Sequence, residues 1–164
     1  MIRPERIGHV VIKVRDVERS KRFYGEILGL ELMGEIAQPK VAFFAANRRD
    51  HHEIGLVEVG PEAPADNPRS VGLVHIAFRL GNDAELVAAH RELKERGVPI
   101  HFTVDHGVTK SVYFFDPDGN RLELYVNVPA EEYRKSAPQP YWRYGAIEDE
   151  LDGKIPQKEG TVAP

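Results

Sequence analysis

The sequence predicts an α+β fold built from two paired βαβββ modules that form a cleft-like half-barrel. A β-rich segment with a histidine in its third position occurs twice, as IGHVVIKV (7–14) and LVHIAFRL (73–80). The two histidines, His9 and His75, therefore lie 66 residues apart (75 − 9). One helical pattern and three short strand patterns follow each copy, as expected when a supersecondary unit is repeated.

The first module is predicted over about residues 5–60. Asp16 is a good N-cap residue, and apolar residues then recur on one helical face until Gly29, where the helix can end. Three strands are predicted after this helix. Their ranges are 31–36, 40–45 and 52–59.

The second module is predicted over about residues 71–128, after a polar, proline-rich linker over residues 61–70. Asn82 and Glu85 form a capping-box pattern at the start of its helix, and Gly97 ends the helix. Strands are predicted at 100–104, 110–115 and 121–126, with the turn DPDGN (116–120) before the last one. One helix cannot cover both faces of a four-stranded sheet, so we expect the two modules, together one domain over residues 1–128, to pair and leave a cleft.

The composition restricts the functional class. The 164 residues carry a formal net charge of −4, which argues against a nucleic-acid or membrane surface as the binding partner. The sequence has neither an apolar run of membrane-spanning length nor the apolar core of a signal peptide, so we expect a cytoplasmic protein. Because the chain has no cysteine, any metal must be bound by His, Asp or Glu.

The repeat does not include the C-terminal segment, residues 129–164. This tail is proline-rich and charged, and it carries the aromatic residues Tyr133, Tyr141, Trp142 and Tyr144. Two interpretations stay open. The tail is either an arm packed on the surface or on a partner subunit, or a lid whose aromatic side chains close over a substrate.

Three residues are candidate metal ligands. His9 and His75 occupy equivalent positions, and Glu123 lies between two leucines in the last predicted strand. If a pseudo-twofold axis relates the modules, both histidines can face one point, with Glu123 as third ligand. Two histidines and one carboxylate suit non-heme Fe(II). The alternative, that each histidine is an ordinary hydrogen-bonded strand residue, stays open on the sequence alone.

The segments GHVVIKVRDVERSKRFYGEILGLEL (8–32) and YFFDPDGNRLELY (113–125) resemble the vicinal oxygen chelate (glyoxalase/bleomycin resistance/dioxygenase) superfamily. The resemblance covers about residues 7–128. It implies paired βαβββ modules, a divalent metal, and assembly as a homodimer or a higher homo-oligomer.

Three smaller features are most similar to the extradiol ring-cleavage dioxygenases of that superfamily. In HHEIGL (51–56), the second histidine matches the family's acid/base, which implies that role for His52. Tyr113 precedes Glu123 by 10 residues (123 − 113), like the tyrosine that hydrogen-bonds the bound catechol. His106 resembles the second pocket histidine, although its distance to Tyr113 in the sequence is shorter than in the two-domain enzymes. The resemblance implies a catecholic ring cleaved by O2, with Fe(II) or Mn(II) as the metal.

Two other functions remain open. In a glyoxalase I-like isomerase or epimerase, Glu53 would be a fourth ligand to Ni(II) or Zn(II), since it precedes Glu123 by 70 residues (123 − 53), close to the repeat offset. Strand parity does not decide between His52 and Glu53, because a bulge can turn either side chain inward. The second of these hypotheses is a non-catalytic binding or resistance module that sequesters an aromatic ligand.

Overall fold

The computed structural model describes residues 1–65, 67, 69–135 and 147–153, without the side chains of Tyr133 and Lys135. The chain divides into two compact units. The first comprises residues 1–70 together with the turn Asp116–Gly119, and the second comprises residues 71–115 and 120 onward.

The first unit contains a four-stranded mixed sheet in the order β1-β4-β3-β2. Its strands are β1 (Val10–Val14), β2 (Glu31–Ile36), β3 (Val41–Ala45) and β4 (Ile54–Glu58). Strands β1 and β4 are parallel, and the other neighbouring pairs are antiparallel. Helix α1 (Val17–Arg22) follows β1 and continues as a π-helical turn over Phe23–Ile27.

The predicted start of α1 is confirmed. Asp16 has an extended backbone, and its side chain accepts a hydrogen bond from the Arg19 amide at 2.9 Å, which satisfies one of the free N–H groups of the first turn. The chain leaves the π-helical turn at Gly29, where φ is +65°. The π-helical turn itself was not predicted; it places Phe23 and Tyr24 in the core.

Polar contacts bind the turn Asp116–Gly119 to α1 and to the residues on either side of that helix. The Tyr24 hydroxyl, which is fully buried, donates to Asp116 Oδ2 at 3.0 Å. Arg15 and Arg19 both form ion pairs with Asp118, at 3.1 and 2.6 Å. The turn predicted from DPDGN therefore also forms a hydrogen bond and ion pairs with residues of the first unit.

The second unit repeats the topology of the first, with a mixed sheet in the order β5-β8-β7-β6. Its strands are β5 (Ile76–Arg79), β6 (Ile100–Asp105), β7 (Thr109–Phe115) and β8 (Arg121–Asn127). Strands β5 and β8 are parallel, as are β1 and β4. Two sheets of the same βαβββ connectivity confirm the predicted α+β fold class.

Helix α2 (Asp83–Glu95) covers one face of the second sheet. The Asn82 half of the predicted capping box is present, because its side chain accepts from the Glu85 amide at 3.0 Å. The Glu85 carboxylate accepts from the Gly81 amide at 2.8 Å, one residue before the N-cap, instead of from the Asn82 amide. Leu86, His90 and Leu93 are buried on the face that the periodicity indicated. Helix α2 does not cover the opposite face of this sheet.

The C-terminal tail is described only in part. It forms the short helices α3 (Ala130–Lys135) and α4 (Glu148–Leu151), and α4 packs against α2 with Ile147 and Leu151 buried. The aromatic residues invoked for a lid lie outside the described residues, apart from the backbone of Tyr133, so the lid stays a prediction. Within the described part of the chain, no helix has both the length and the apolar character that crossing a bilayer requires.

Tyr24→Phe should lower the free energy of unfolding by about 1–2 kcal/mol, because it removes a buried hydrogen bond to a carboxylate without changing the ring. Urea denaturation measures the change. The matched control is Tyr125→Phe, since the Tyr125 hydroxyl forms no hydrogen bond among the described residues. Equal stabilities of the two variants would contradict the anchoring role of the Tyr24 hydroxyl.

Candidate functional site

The two repeated histidines occupy the same position in their units. His9 directly precedes β1 and His75 directly precedes β5. In both units this strand runs parallel to the last strand of its sheet. The duplicated histidine that the sequence indicated is therefore also duplicated in the topology.

Glu123 and His75 meet in the second unit. Glu123 lies opposite Ala77 on the neighbouring strand, and its Oε2 is 3.0 Å from His75 Nε2. The other carboxylate oxygen, Oε1, accepts a hydrogen bond from Ser111 Oγ at 2.6 Å. Glu123 is only 6% exposed, and no lysine or arginine among the described residues forms an ion pair with it. An imidazole beside a buried carboxylate without a basic counter-ion is a donor set that fits a divalent cation.

Tyr113 and His106 lie beside this pair. Tyr113 is directly opposite Glu123 on β7, and its hydroxyl is 3.2 Å from His106 Nε2. The His75 and Tyr113 rings are in edge contact, 5.5 Å between centroids. Burial first, and then the negative charge of Glu123, raises the pKa of the Tyr113 phenol well above its ordinary value of 10.0. The phenol therefore stays protonated at neutral pH and can donate a hydrogen bond.

Two neighbours of this group were not recognised from the sequence. Phe102 stacks on the Tyr113 ring, with centroids 4.3 Å apart and an interplanar angle of 22°. A register irregularity between Ile100 and Phe102 sets which face Phe102 occupies, and the sequence carries no clear signal for it. Ser111 could have been found, because it lies two residues before Tyr113 and thus on the same face of β7.

A cluster of imidazoles forms in the first unit. The His52 ring lies 4.5 Å from the His9 ring, 4.3 Å from the His51 ring and 4.7 Å from the Phe43 ring, between centroids. His51 and His52 share a hydrogen bond between their Nδ1 atoms at 2.6 Å. His52 Nε2 is buried and has no hydrogen-bond partner among the described residues.

The environment of His52 favours its neutral form. Burial, followed by the charges of His51 and His9, lowers the pKa of the His52 imidazole below its ordinary value of 6.5, and the Glu53 charge opposes this only in part. At neutral pH the ring is therefore a proton acceptor. Its unpartnered Nε2 is the acceptor in the tautomer whose Nδ1–H donates to His51.

Glu53 lies in a different environment from Glu123. Strand β4 begins at Ile54, not at His52 as predicted, so His52 and Glu53 precede the strand. A bend at Glu53 replaces strict alternation there, and the Glu53 carboxylate accepts from the Ala46 amide at 2.9 Å.

The sheet registers assign a different counterpart to Glu123. Ala77, two residues after His75, pairs with Glu123, whereas Val11, two residues after His9, pairs with Gly55. A Cβ at Gly55 would lie 3.0 Å from Val11 Cγ2, so the side chain of Val11 occupies the space beside that position. The spacing of 70 residues between Glu53 and Glu123 was therefore close to the repeat offset without marking an equivalent position.

The predicted ligands fall into two groups. His9 belongs to the first unit, and His75 and Glu123 belong to the second. Their convergence on one metal ion stays a prediction, as do the roles assigned to His52, Tyr113 and His106.

A second group of ligand-type residues lies between α2 and α4. The ligand atoms of His90, Glu148 and Asp152 lie within 4.8 Å of one another. Lys94 Nζ is 3.0 Å from Asp152 Oδ1 and 3.4 Å from Glu148 Oε1, so an ammonium group already balances both carboxylates. We interpret this cluster as the ion-pair network that binds α4 to α2.

In the metal-free protein, the NMR titration midpoint of His52 should lie below 6.5, because burial and neighbouring imidazolium charges disfavour its protonation. His51→Gln should move the midpoint upward, since it removes one of those charges. His101→Gln is the control, because His101 does not contribute to the shift. A midpoint of His52 that does not respond to His51→Gln would contradict the clustered arrangement.

Comparison with known proteins agrees with this fold. The model of the Glyoxalase/Bleomycin resistance protein/Dioxygenase superfamily matches residues 6–124. Biphenyl-2,3-diol 1,2-dioxygenase 3 of Rhodococcus globerulus is 27% identical, over 96% of this chain and 87% of that protein. Catechol-2,3-dioxygenase of Bacillus subtilis is 31% identical over 82% of this chain, which spans only 46% of that longer protein.

A solved structure of a similar protein supports the same fold. The glyoxalase/dioxygenase of Nostoc punctiforme superposes with a TM-score of 0.64 at 25% identity, covering 78% of this chain and 97% of that one. Together with the repeated βαβββ topology and a family match that extends from before His9 to beyond Glu123, these similarities show that the chain belongs to the glyoxalase/bleomycin resistance protein/dioxygenase superfamily.

Proposed function

We propose that the protein is an extradiol-type dioxygenase, which cleaves a catecholic ring with O2 at a non-heme Fe(II) centre. The observation that carries the proposal is the position of Tyr113 and His106 beside Glu123 and His75. A phenol and an imidazole next to two metal-type ligands suit a substrate with hydroxyl groups. The similarity to two proteins named as dioxygenases of aromatic diols supports the same class.

His9, His75 and Glu123 would hold the metal, with Fe(II) preferred and Mn(II) as the alternative ion. When bound, such a metal supplies positions for both catechol oxygens and for O2, and it lowers the pKa of the catechol hydroxyls. The burial of Glu123 without a lysine or arginine partner among the described residues supports this assignment. A carboxylate in such a setting is stabilised by a cation.

The protein groups would bind the substrate and move its protons. His52 is neutral at pH 7 and has an unpartnered Nε2, so it can accept a catechol proton and return it later in the reaction. Tyr113 keeps its proton and can donate a hydrogen bond to a substrate oxygen, while His106 contacts the same hydroxyl. Both oxygen atoms of O2 enter the product, a ring-opened semialdehyde.

The isomerase alternative has less support. It requires the Glu53 carboxylate as a fourth ligand, but in the first unit the sheet position that corresponds to Glu123 is occupied by Gly55, not by Glu53. It also gives no task to the Tyr113–His106 pair. The binding-module alternative does not explain why a histidine–carboxylate pair and a neutral, unpartnered imidazole occur in the same chain.

The Fe(II)-loaded protein should convert at least one member of a broad catechol panel to a yellow ring-fission product, consuming one O2 per ring opened. Absorbance and an oxygen electrode measure the two quantities together. Metal-free protein is the control. Failure with every catechol, in a preparation that retains Fe(II), would contradict the proposal.

His52→Gln should lower kcat of ring cleavage by about 100-fold or more, the usual contribution of a positioned acid/base. Glu53→Gln, its neighbour in the sequence, should stay within a few-fold of the unmodified protein. Steady-state kinetics on the substrate identified above compares the two variants. A large loss with Glu53→Gln and a small one with His52→Gln would favour the isomerase-like ligand set instead.

A further inference from the structure

Ser111 forms a short polar contact with Glu123, one of the candidate metal ligands. Its Oγ donates to Glu123 Oε1 at 2.6 Å, and the serine is fully buried. Ser111 lies on β7 opposite Tyr125, and its hydrogen bond therefore runs diagonally across the pair of strands to Glu123. Since an ionised carboxylate only accepts hydrogen bonds, the hydroxyl must be the donor.

The two oxygens of Glu123 have different nearest partners, and the Tyr113 hydroxyl is a further hydrogen-bonding neighbour of the carboxylate. Oε1 is bound to Ser111, whereas Oε2 faces His75 Nε2 at 3.0 Å. A carboxylate bound at one oxygen cannot rotate about its last bond without breaking that hydrogen bond. Oε2 is consequently kept on the side of the histidine.

We propose that Ser111 is a positioning residue for the metal centre, which fixes Glu123 so that Oε2 alone is presented to the divalent cation. The proposal rests on the metal centre of the proposed function, but it does not depend on the substrate or on ring cleavage. Without the hydroxyl, the buried carboxylate can rotate and offer both oxygens, or neither, to the metal. Partners of this kind typically change metal affinity by about 10- to 100-fold when they are removed.

The test measures binding of Mn(II) to the full chain, by titration calorimetry and by the EPR spectrum of the bound ion. Ser111→Ala should weaken Mn(II) binding by about 10- to 100-fold and change the EPR spectrum. Ser20→Ala is the matched control, because Ser20 is also fully buried but belongs to α1, where its Oγ faces Asp118. It should bind Mn(II) as the unmodified protein does.

A second pair of variants separates positioning from packing. Ser111→Thr and Ser111→Val add the same volume, but only threonine keeps the hydroxyl. Thr should bind Mn(II) at least about tenfold more tightly than Val, in line with the expected contribution of the hydrogen bond. Circular dichroism establishes that each variant is folded.

The outcomes distinguish this proposal from the proposed function. Equal Mn(II) affinity and identical EPR spectra for Ser111→Ala and the unmodified protein would overturn the role of Ser111 and leave the dioxygenase proposal intact. Tight Mn(II) binding that depends on Ser111, in a protein that cleaves no catechol, would support the positioning role and overturn the dioxygenase. An unmodified protein that binds no divalent metal would overturn both.

Discussion

The burial of the Glu123 carboxylate is the constraint on which the candidate site depends. An ionised carboxylate at 6% exposure is stable only if hydrogen bonds and a positive charge replace its water. Ser111 supplies a hydrogen bond and His75 supplies the nearest imidazole, but no lysine or arginine of the described chain neutralises the charge. The same charge contributes to keeping the Tyr113 phenol protonated. One buried carboxylate thus links the proposed metal affinity, the orientation of its own oxygens and the proton of a neighbouring phenol.

The two units share a topology but differ in the pair of residues that face each other just after the repeated histidine. In the second unit the small Ala77 lies beside Glu123, and in the first unit the larger Val11 lies beside Gly55. Because Val11 fills the space that a side chain at residue 55 would need, the first unit offers its histidine without a matching carboxylate. The repeat therefore yields two equivalent histidines and one carboxylate. This asymmetry supports the proposed ligand set of two histidines and one carboxylate over one with two of each.

Local signals in the sequence predicted the fold well, since caps and glycines act within a few residues. Asp16 and Asn82 begin the helices as expected because each accepts a hydrogen bond from an amide in the first turn of its own helix. The features that the sequence did not predict depend on contacts with other strands or loops. The bend before β4 is accompanied by a bond from the Ala46 amide to Glu53, and Phe102 stacks on Tyr113 of the neighbouring strand. Strand periodicity and residue spacing contain no information about such contacts.

Burial favours the neutral form of both His52 and Tyr113, the two groups proposed to move or hold protons, although it shifts their pKa values in opposite directions. Burial favours the neutral form of any side chain, so it lowers the pKa of the His52 imidazole and raises that of the Tyr113 phenol. At neutral pH this gives one proton acceptor and one hydrogen-bond donor, and a separation of that kind identifies acid and base in other enzymes. Neighbouring charges strengthen both shifts, His51 and His9 for the imidazole and Glu123 for the phenol. The residues proposed to bind the metal are therefore also among those that set the protonation states needed for chemistry on a catechol.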